Sequence, residues 1–448
     1  MSKWVNPPRL NYVANVSEFR GVSAVTKRWI AGSNARFASR SRRVVAMSLA
    51  TSLISVFLVV GTTQIASFAV STSSFSSSLR LESVDFSSPS DGFGAFQWES
   101  LSGRTCKDYV GRTENGGATF SPLVHVMSWD CANRDFDTEL TSDGRGDLFL
   151  FGPQLYVSHN NALTWSAASH LGPILDVDAV GRSIWALRSI CTSAEVARST
   201  PCGASLLEST NGGRTWQLSP SPWGSTNEIA DDPATMQTYL VRLSQDTAYV
   251  MLSPSPLFSG KPSTTPLWFT TNGGRTWANR EAPCHIGAWS AAFSVAPDGT
   301  LMTVCASQPS AGMQLKTVLE SSNGGRSWTL KAGGSGTSFP EIDDGYLGSI
   351  DLLSKDKAFL VGGRSSLMET LDGGATWKAV QPHIGSTAGG TFQVTFFGGS
   401  DGLVLGNNDN DNERMTLWKT IDAGASWKVV IPKTAAPSND DSMSKGLQ

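Results

Sequence analysis

The stretch Ser321-Ser322-Asn323-Gly324-Gly325-Arg326-Ser327-Trp328 decides the reading of this chain, because close copies of it occur seven times. The other six run 113–120 (Thr-Glu-Asn-Gly-Gly-Ala-Thr-Phe), 158–165, 209–216, 270–277, 370–377 and 420–427. Their starts are separated by 45, 51, 61, 51, 49 and 50 residues. A motif returning at a fixed period of this length signals a repeat architecture and takes precedence over local propensity.

The residue types explain the motif's shape. Its third position is Asn115, Asn160, Asn211, Asn272, Asn323, Asp372 or Asp422, a side chain that can hydrogen-bond its own turn. The Gly pair admits positive φ in a tight hairpin. Six copies close on Trp165, Trp216, Trp277, Trp328, Trp377 and Trp427, which supply large apolar surfaces for burial between repeats. Two copies depart from the pattern: Phe120 stands for Trp in the first, and Ala162 for Gly in the second. Those departures are expected to loosen the first two repeats without changing their number.

The motif resembles the Asp-box, also called the BNR repeat, of sialidases, sortilin-type receptors, xyloglucanase-type glycoside hydrolases and photosystem II assembly and stability factors. The resemblance covers about residues 81–431 and implies an all-β, seven-bladed propeller with four-stranded blades. It also implies that the boxes lie at the blade periphery, away from the binding face. The overall pattern is closest to single propellers of the photosystem II assembly factor type, which look like non-catalytic scaffolds beside a membrane. Blade one has its own inner strand at 81–86 and blade seven its own outer strand at 427–431, so closure by side-by-side packing is expected.

The 448 residues carry 35 Lys and Arg against 38 Asp and Glu, a net charge of −3 with signs mixed, and nothing points to nucleic acid. Residues 1–43 are polar and basic, with nine Lys and Arg against Glu18. Residues 44–70 hold no charge and are long enough to span a bilayer. The positive-inside rule then leaves the amino terminus cytoplasmic and the propeller extracytoplasmic, anchored to the cell membrane. A signal peptide cleaved after the small-x-small stretch at 67–69 is the competing reading, and would give a secreted protein. The pair Arg42-Arg43 faintly resembles a twin-arginine signal. Residues 71–80 read as a Ser-rich linker, 81–433 as the propeller and 434–448 as a disordered polar tail.

Six cysteines, all after the apolar segment, suit disulfides in an oxidising compartment. Their positions predict Cys106–Cys131, Cys191–Cys202 and Cys284–Cys305. Variable loops fall on the face opposite the boxes, with the longest expected at 97–108, 121–134, 188–203, 219–236, 253–265, 278–288 and 329–346. Binding is expected there, and Trp98, Trp129, Trp223 and Trp289 are candidates to stack on a sugar or anchor a protein. Blade-packing tryptophan is the plainer account of each.

Catalysis finds less support. The Arg-Ile-Pro motif of sialidases is absent, and Arg214, Arg275 and Arg326 sit inside the boxes on the other face. Asp176, Asp178, Asp343, Asp344 and Asp351 are acids near inner strands or loops, but their spacing singles out no pair for glycoside hydrolysis. Asp409, Asp411 and Glu413 form the densest oxygen-ligand cluster, a weak calcium candidate; a solvated hairpin tip is the alternative. No cofactor is expected. The leading reading is a membrane-anchored binding scaffold for protein or glycan. An Asp-box glycoside hydrolase and a structural cell-envelope component remain as alternatives.

Overall fold

The computed structural model describes residues 79–434 apart from short stretches, the longer ones being 131–137, 191–202, 225–236, 254–264, 334–341 and 385–390. Blade one comprises β1 (Arg80–Phe86), β2 (Gly92–Glu99), β3 (Thr105–Thr113) and, after the two-residue β4 (Thr119–Phe120), β5 (Leu123–Asp130). Blade two has β6 (Glu139–Ser142), β7 (Leu148–Phe151), β8 (Tyr156–Ser158) and β9 (Ser166–Ala167). Blade three has β10 (Ile174–Val180), β11 (Ser183–Ser189), β12 (Ala204–Ser209) and β13 (Gln217–Leu218). Blade four has β14 (Gln237–Arg242), β15 (Ala248–Ser253), β16 (Leu267–Thr270) and β17 (Ala278–Arg280). Blade five has β18 (Ser290–Val295), β19 (Leu301–Ala306), β20 (Lys316–Ser321) and β21 (Thr329–Ala332). Blade six has β22 (Ile350–Leu352), β23 (Ala358–Leu360), β24 (Met368–Thr370) and β25 (Lys378–Ala379). Blade seven has β26 (Thr391–Phe397), β27 (Asp401–Asn408), β28 (Asp411–Thr420) and β29 (Lys428–Val430), and the chain ends its described course in β30 (Lys433–Thr434).

Each blade is a four-stranded sheet of consecutive antiparallel strands, so no strand is exchanged between the first blade and the last. The antiparallel meander puts the first hairpin and the box of every blade on one face. The second-to-third-strand connections and the blade-to-blade crossings lie on the other, here called the loop face. Two expected loops are shorter than the sequence suggests. β2 and β3 take up most of 97–108, and β5 takes up most of 121–134, because both stretches alternate polar and apolar residues and pair in continuous ladders. Among the described residues no helix is long and apolar enough to cross a membrane. The segments 1–43, 44–70 and most of 71–80 lie outside the described residues.

The core is divided among the blade interfaces. Seven buried apolar clusters each join neighbouring blades. The closing aromatic of each box packs into the interface with the blade before it. Trp277 reaches Trp185 of blade three with ring centres 5.8 Å apart, and Trp427 stands edge-on to Phe359 of blade six at 6.0 Å. Phe120 does the same at the seam between blades one and seven, where it is fully buried against Phe96. A phenyl ring therefore suffices at that position.

The boxes share one hydrogen-bond pattern. In the third, Ser209 Oγ donates to Asn211 Oδ1 at 3.0 Å and accepts from the buried Gly213 N–H at 2.8 Å. Asn211 Oδ1 accepts from Thr215 N–H at 3.0 Å, while its Nδ2 donates to Thr215 Oγ1 at 2.8 Å. With Asp in place of Asn the last contact reverses direction, and Ser426 Oγ donates to Asp422 Oδ2 at 2.6 Å. Ala162 keeps the pattern at φ 65°, a left-handed conformation that costs a non-glycine residue about 1 kcal/mol.

The ring closes by packing, as expected, with polar links added along the seam. Gln393 of β26 accepts from Val84 N–H at 3.3 Å and donates to Val84 O at 2.9 Å. Lys419 Nζ donates to the Pro89 carbonyl. β30 pairs in parallel with β4 and latches the stretch after blade seven onto blade one, a contact with no signal in the sequence.

Candidate functional site

The first strand of every blade starts on the loop face, runs beside the axis, and is a sheet edge whose outward N–H groups need partners. At several junctions polar side chains of the preceding blade supply them. Asp176 Oδ2 accepts from Leu240 N–H at 2.8 Å and Asp178 Oδ2 from Arg242 N–H at 2.7 Å, joining blades three and four. Asp351 Oδ2 accepts from Phe396 N–H at 2.7 Å, and Ser294 Oγ from Leu352 N–H at 3.0 Å. Ser83 Oγ accepts from Leu140 N–H at 3.3 Å, and Asp85 bonds Ser142. Tyr239 instead donates its hydroxyl to the Ala291 carbonyl at 2.5 Å.

Surrounding protein raises these acids even where a side chain keeps some contact with the axial space. Burial lifts Asp178 and Asp351 to about 6, and lifts Asp176 well above the ordinary carboxylate value. The neighbouring charges of Glu139 and Asp178 push Asp176 further in the same direction. Tyr239 is likewise raised, by burial first and then by Asp176 and Glu139. Its phenol stays protonated and committed to a carbonyl, the opposite of an activated nucleophile. Among the sequence-selected acids, Asp343 and Asp344 lie outside the described residues.

The loop-face ends of blades one to four carry a group of polar side chains around the axis. Arg80 Nε pairs with Glu82 Oε1 at 2.5 Å, Glu139 is exposed, and Asp176 and Tyr239 follow around the axis. Asp108, on β3, is a buried acid that the sequence did not single out. It accepts from Trp129 Nε1 at 2.7 Å, Gln97 Nε2 at 3.2 Å and Thr138 Oγ1 at 3.3 Å, tying three strands of blade one to the start of blade two. Burial raises it to about 6 despite those donors, with Glu82 adding to the shift. An alternation of polar residues on the innermost strands (Ser83 and Asp85, Asp176 and Asp178) was the available signal for the inter-blade acceptors.

The four candidate tryptophans all stand at loop-face ends and all are half-buried. Trp129 is spent on Asp108, and Trp223 donates to Ala204 O at 3.0 Å while packing edge-on to Trp268. Trp98 lies under Lys107 Nζ at 5.4 Å, and Trp289 precedes β18 with its N–H on Ala306 O. They are not gathered into one platform. The box arginines turn back onto their own hairpins, Arg214 Nη1 meeting Asn211 O at 2.9 Å and Arg275 Nε meeting Asn272 O at 3.0 Å.

Cys284 and Cys305 are joined in a disulfide that links the exit of blade four to β19. Cys106 is also disulfide-bonded, with Cys131 outside the described residues; Cys191 and Cys202 lie outside them too. Among the described residues no cluster of three or more His, Cys, Asp or Glu is placed to hold a metal ion. Asp409 lies outside the described residues, and so do the side chains of Asp411 and Glu413.

A family model described as photosynthesis system II assembly factor YCF48 matches residues 340–444, which cover blades six and seven. No curated protein matches the chain. Among solved structures, "YCF48 bound to D1 peptide" is 14% identical, covering 77% of this chain and 94% of that one with a TM-score of 0.49. YCF48 from Cyanidioschyzon merolae is 15% identical over 77% and 95% of the two chains, TM-score 0.45. The GH74 enzyme of Niastella koreensis is 13% identical over 81% and 75%, TM-score 0.37. The chain is an Asp-box seven-bladed β-propeller resembling the photosystem II assembly factors, with its last two blades matching that family's model.

Proposed function

We propose that this propeller is a membrane-anchored, extracytoplasmic scaffold that receives a protein partner on its loop face and carries out no chemistry. The observation that carries the reading is the use made of its axial acids. Asp176, Asp178 and Asp351 accept backbone N–H groups of the next blade, so they serve ring cohesion rather than forming a general acid and base across a cleft. The match of blades six and seven to a family described as an assembly factor supports a scaffold. The Cys284–Cys305 disulfide suits an oxidising compartment.

The path of the chain supports the same arrangement. β1 begins on the loop face, so an anchor at 44–70 would feed the propeller from that side. The linker of ten residues, 71–80, extends at most about 36 Å, which would hold the loop face toward the bilayer. A partner there would be another membrane protein or its emerging segment.

The test is photo-crosslinking in intact membranes from the full chain, with the reactive group at Glu139 or Trp223 on the loop face and at Arg326 on the box face. Loop-face positions should capture a membrane protein and the box-face position should not. Equal capture from both faces would overturn the docking surface, and turnover of any sugar by the purified chain would overturn the non-catalytic reading.

A further inference from the structure

The outer edge of blade one differs from every other blade's. Outer strands β9, β13 and β25 have two residues each, β17 and β29 three, and β21 four. β5 has eight and runs from the box face to the loop face against β3. It is the terminal strand of its sheet. Among the described residues, the only backbone hydrogen bonds of Leu123–Trp129 are those of the β3 ladder. Alternate N–H and C=O groups along this edge therefore face outward.

Natural sheets guard such edges with lysine, proline, brevity or a bulge. Leu123-Val124-His125-Val126-Met127-Ser128-Trp129 holds no lysine or proline and is long, and its one guard is a bulge at Val126. Its residues are β-formers, with Val126 and Trp129 half-buried on the side toward blade two and His125 and Ser128 exposed. From this edge we infer a second binding site, distinct from the loop face, where an extended segment of a partner protein adds to blade one as a fifth strand. Backbone hydrogen bonds would give most of the affinity, and the shelf of Val124, Val126 and Trp129 would favour apolar residues at alternate positions.

A second copy of this chain fits less well. Met127 pairs with Asp108 and His125 with Tyr109, so Val126 is an extra residue that bulges the strand. Two such strands paired about a two-fold axis would bring both bulges together and kink the joint sheet twice. Seven residues of edge also bury far less than the roughly 1,200 Å² of a stable dimer. A flexible peptide can follow one bulge, and it needs no larger area to be held briefly.

The probe is a labelled eight-residue peptide of alternating valine and threonine with a lysine at each end, added to the full chain in detergent. Fluorescence anisotropy should show saturable binding. N-methylation of the peptide on one set of alternate amides should weaken binding about tenfold or more, while methylation of the other set should leave it within about twofold. Amide exchange at the outward-facing positions of Leu123–Trp129 should slow on binding. Ser128→Lys, an edge lysine at an exposed position, should weaken binding without lowering the melting midpoint. Trp223→Ala on the loop face should leave it unchanged, which separates this site from the docking face proposed above. No saturable binding, equal sensitivity to both methylated peptides, or protection outside β5 would overturn the inference. Slow exchange at the outward amides before peptide is added would also overturn it, since the edge would then already be paired.

Discussion

Replacing Ser209 by alanine tests whether the box hydroxyl organises its hairpin. The Ser209 side chain is 1% exposed, and its oxygen is the acceptor for the buried Gly213 N–H at 2.8 Å. Alanine leaves that N–H without a partner and takes a donor from Asn211 Oδ1. A buried donor stripped of its acceptor costs about 1–3 kcal/mol, and with the second lost bond the total is about 2–3 kcal/mol. Unfolding entropy of about 2.1 cal/mol/K per residue over about 350 residues gives about 0.7 kcal/mol/K, so the melting midpoint should fall by about 3–4 °C. Ser209→Thr is the control, because Thr113, Thr270, Thr370 and Thr420 make the same bonds at equally buried positions. It should stay within about 0.5 kcal/mol of the parent. Calorimetry on the full chain and its two variants decides the matter. An alanine variant as stable as the parent, or a threonine variant as damaged as the alanine one, would refute the argument.

Three further outcomes are expected. Asp108, Asp178 and Asp351 sit at about 6 in the folded protein against an ordinary 3.8, so the native state binds more protons than the unfolded one between about pH 4 and 6. Stability should therefore fall as pH rises through that window, and Asp176, raised in the same direction, adds to the fall. Asp351→Asn, which keeps an acceptor for Phe396 N–H, should flatten the slope in melts taken from pH 4.5 to 7.5, and an unchanged slope would count against it. Ala162→Gly relieves a left-handed alanine at φ 65° and should raise stability by about 1 kcal/mol in urea titrations, where a loss would contradict the strain argument. Gln393→Ala removes both bonds to Val84 and should cost about 1–2 kcal/mol. Faster amide exchange at Val84 and its neighbours should accompany that loss; an unaltered seam would show that packing alone holds it.

The repeated boxes made the blade count legible, because Asn, Gly pair and Trp each answer a local need of one hairpin. The same locality explains why the ring's cohesion was not legible. Asp176 and Leu240 are 64 residues apart, and Gln393 and Val84 are 309 apart. Nothing in a stretch of ten residues reports such a partner. Asp108 was hidden for a related reason, since its donors come from β2, β5 and the start of blade two. β2, β3 and β5 reach further than expected because the alternating polar and apolar residues of 97–108 and 121–134 pair in continuous ladders, a pattern weaker to the eye than the Gly-rich boxes. The pairing of Cys284 with Cys305 followed from their places on the blade map, and Asp-box resemblance supplied the fold but no partner-binding residue.

The forward direction of the inter-blade acceptors has a consequence for how the ring is built during synthesis. Ser83 waits for Leu140, Asp176 for Leu240, Ser294 for Leu352 and Asp351 for Phe396. In each pair the side chain leaves the ribosome before the N–H it will receive. At those junctions a newly made blade meets a prepared edge on its predecessor, and the propeller can grow as an open arc of increasing stability. At blade seven the order reverses. Gln393, among the last parts made, reaches back to Val84, among the first, and turns the arc into a circle.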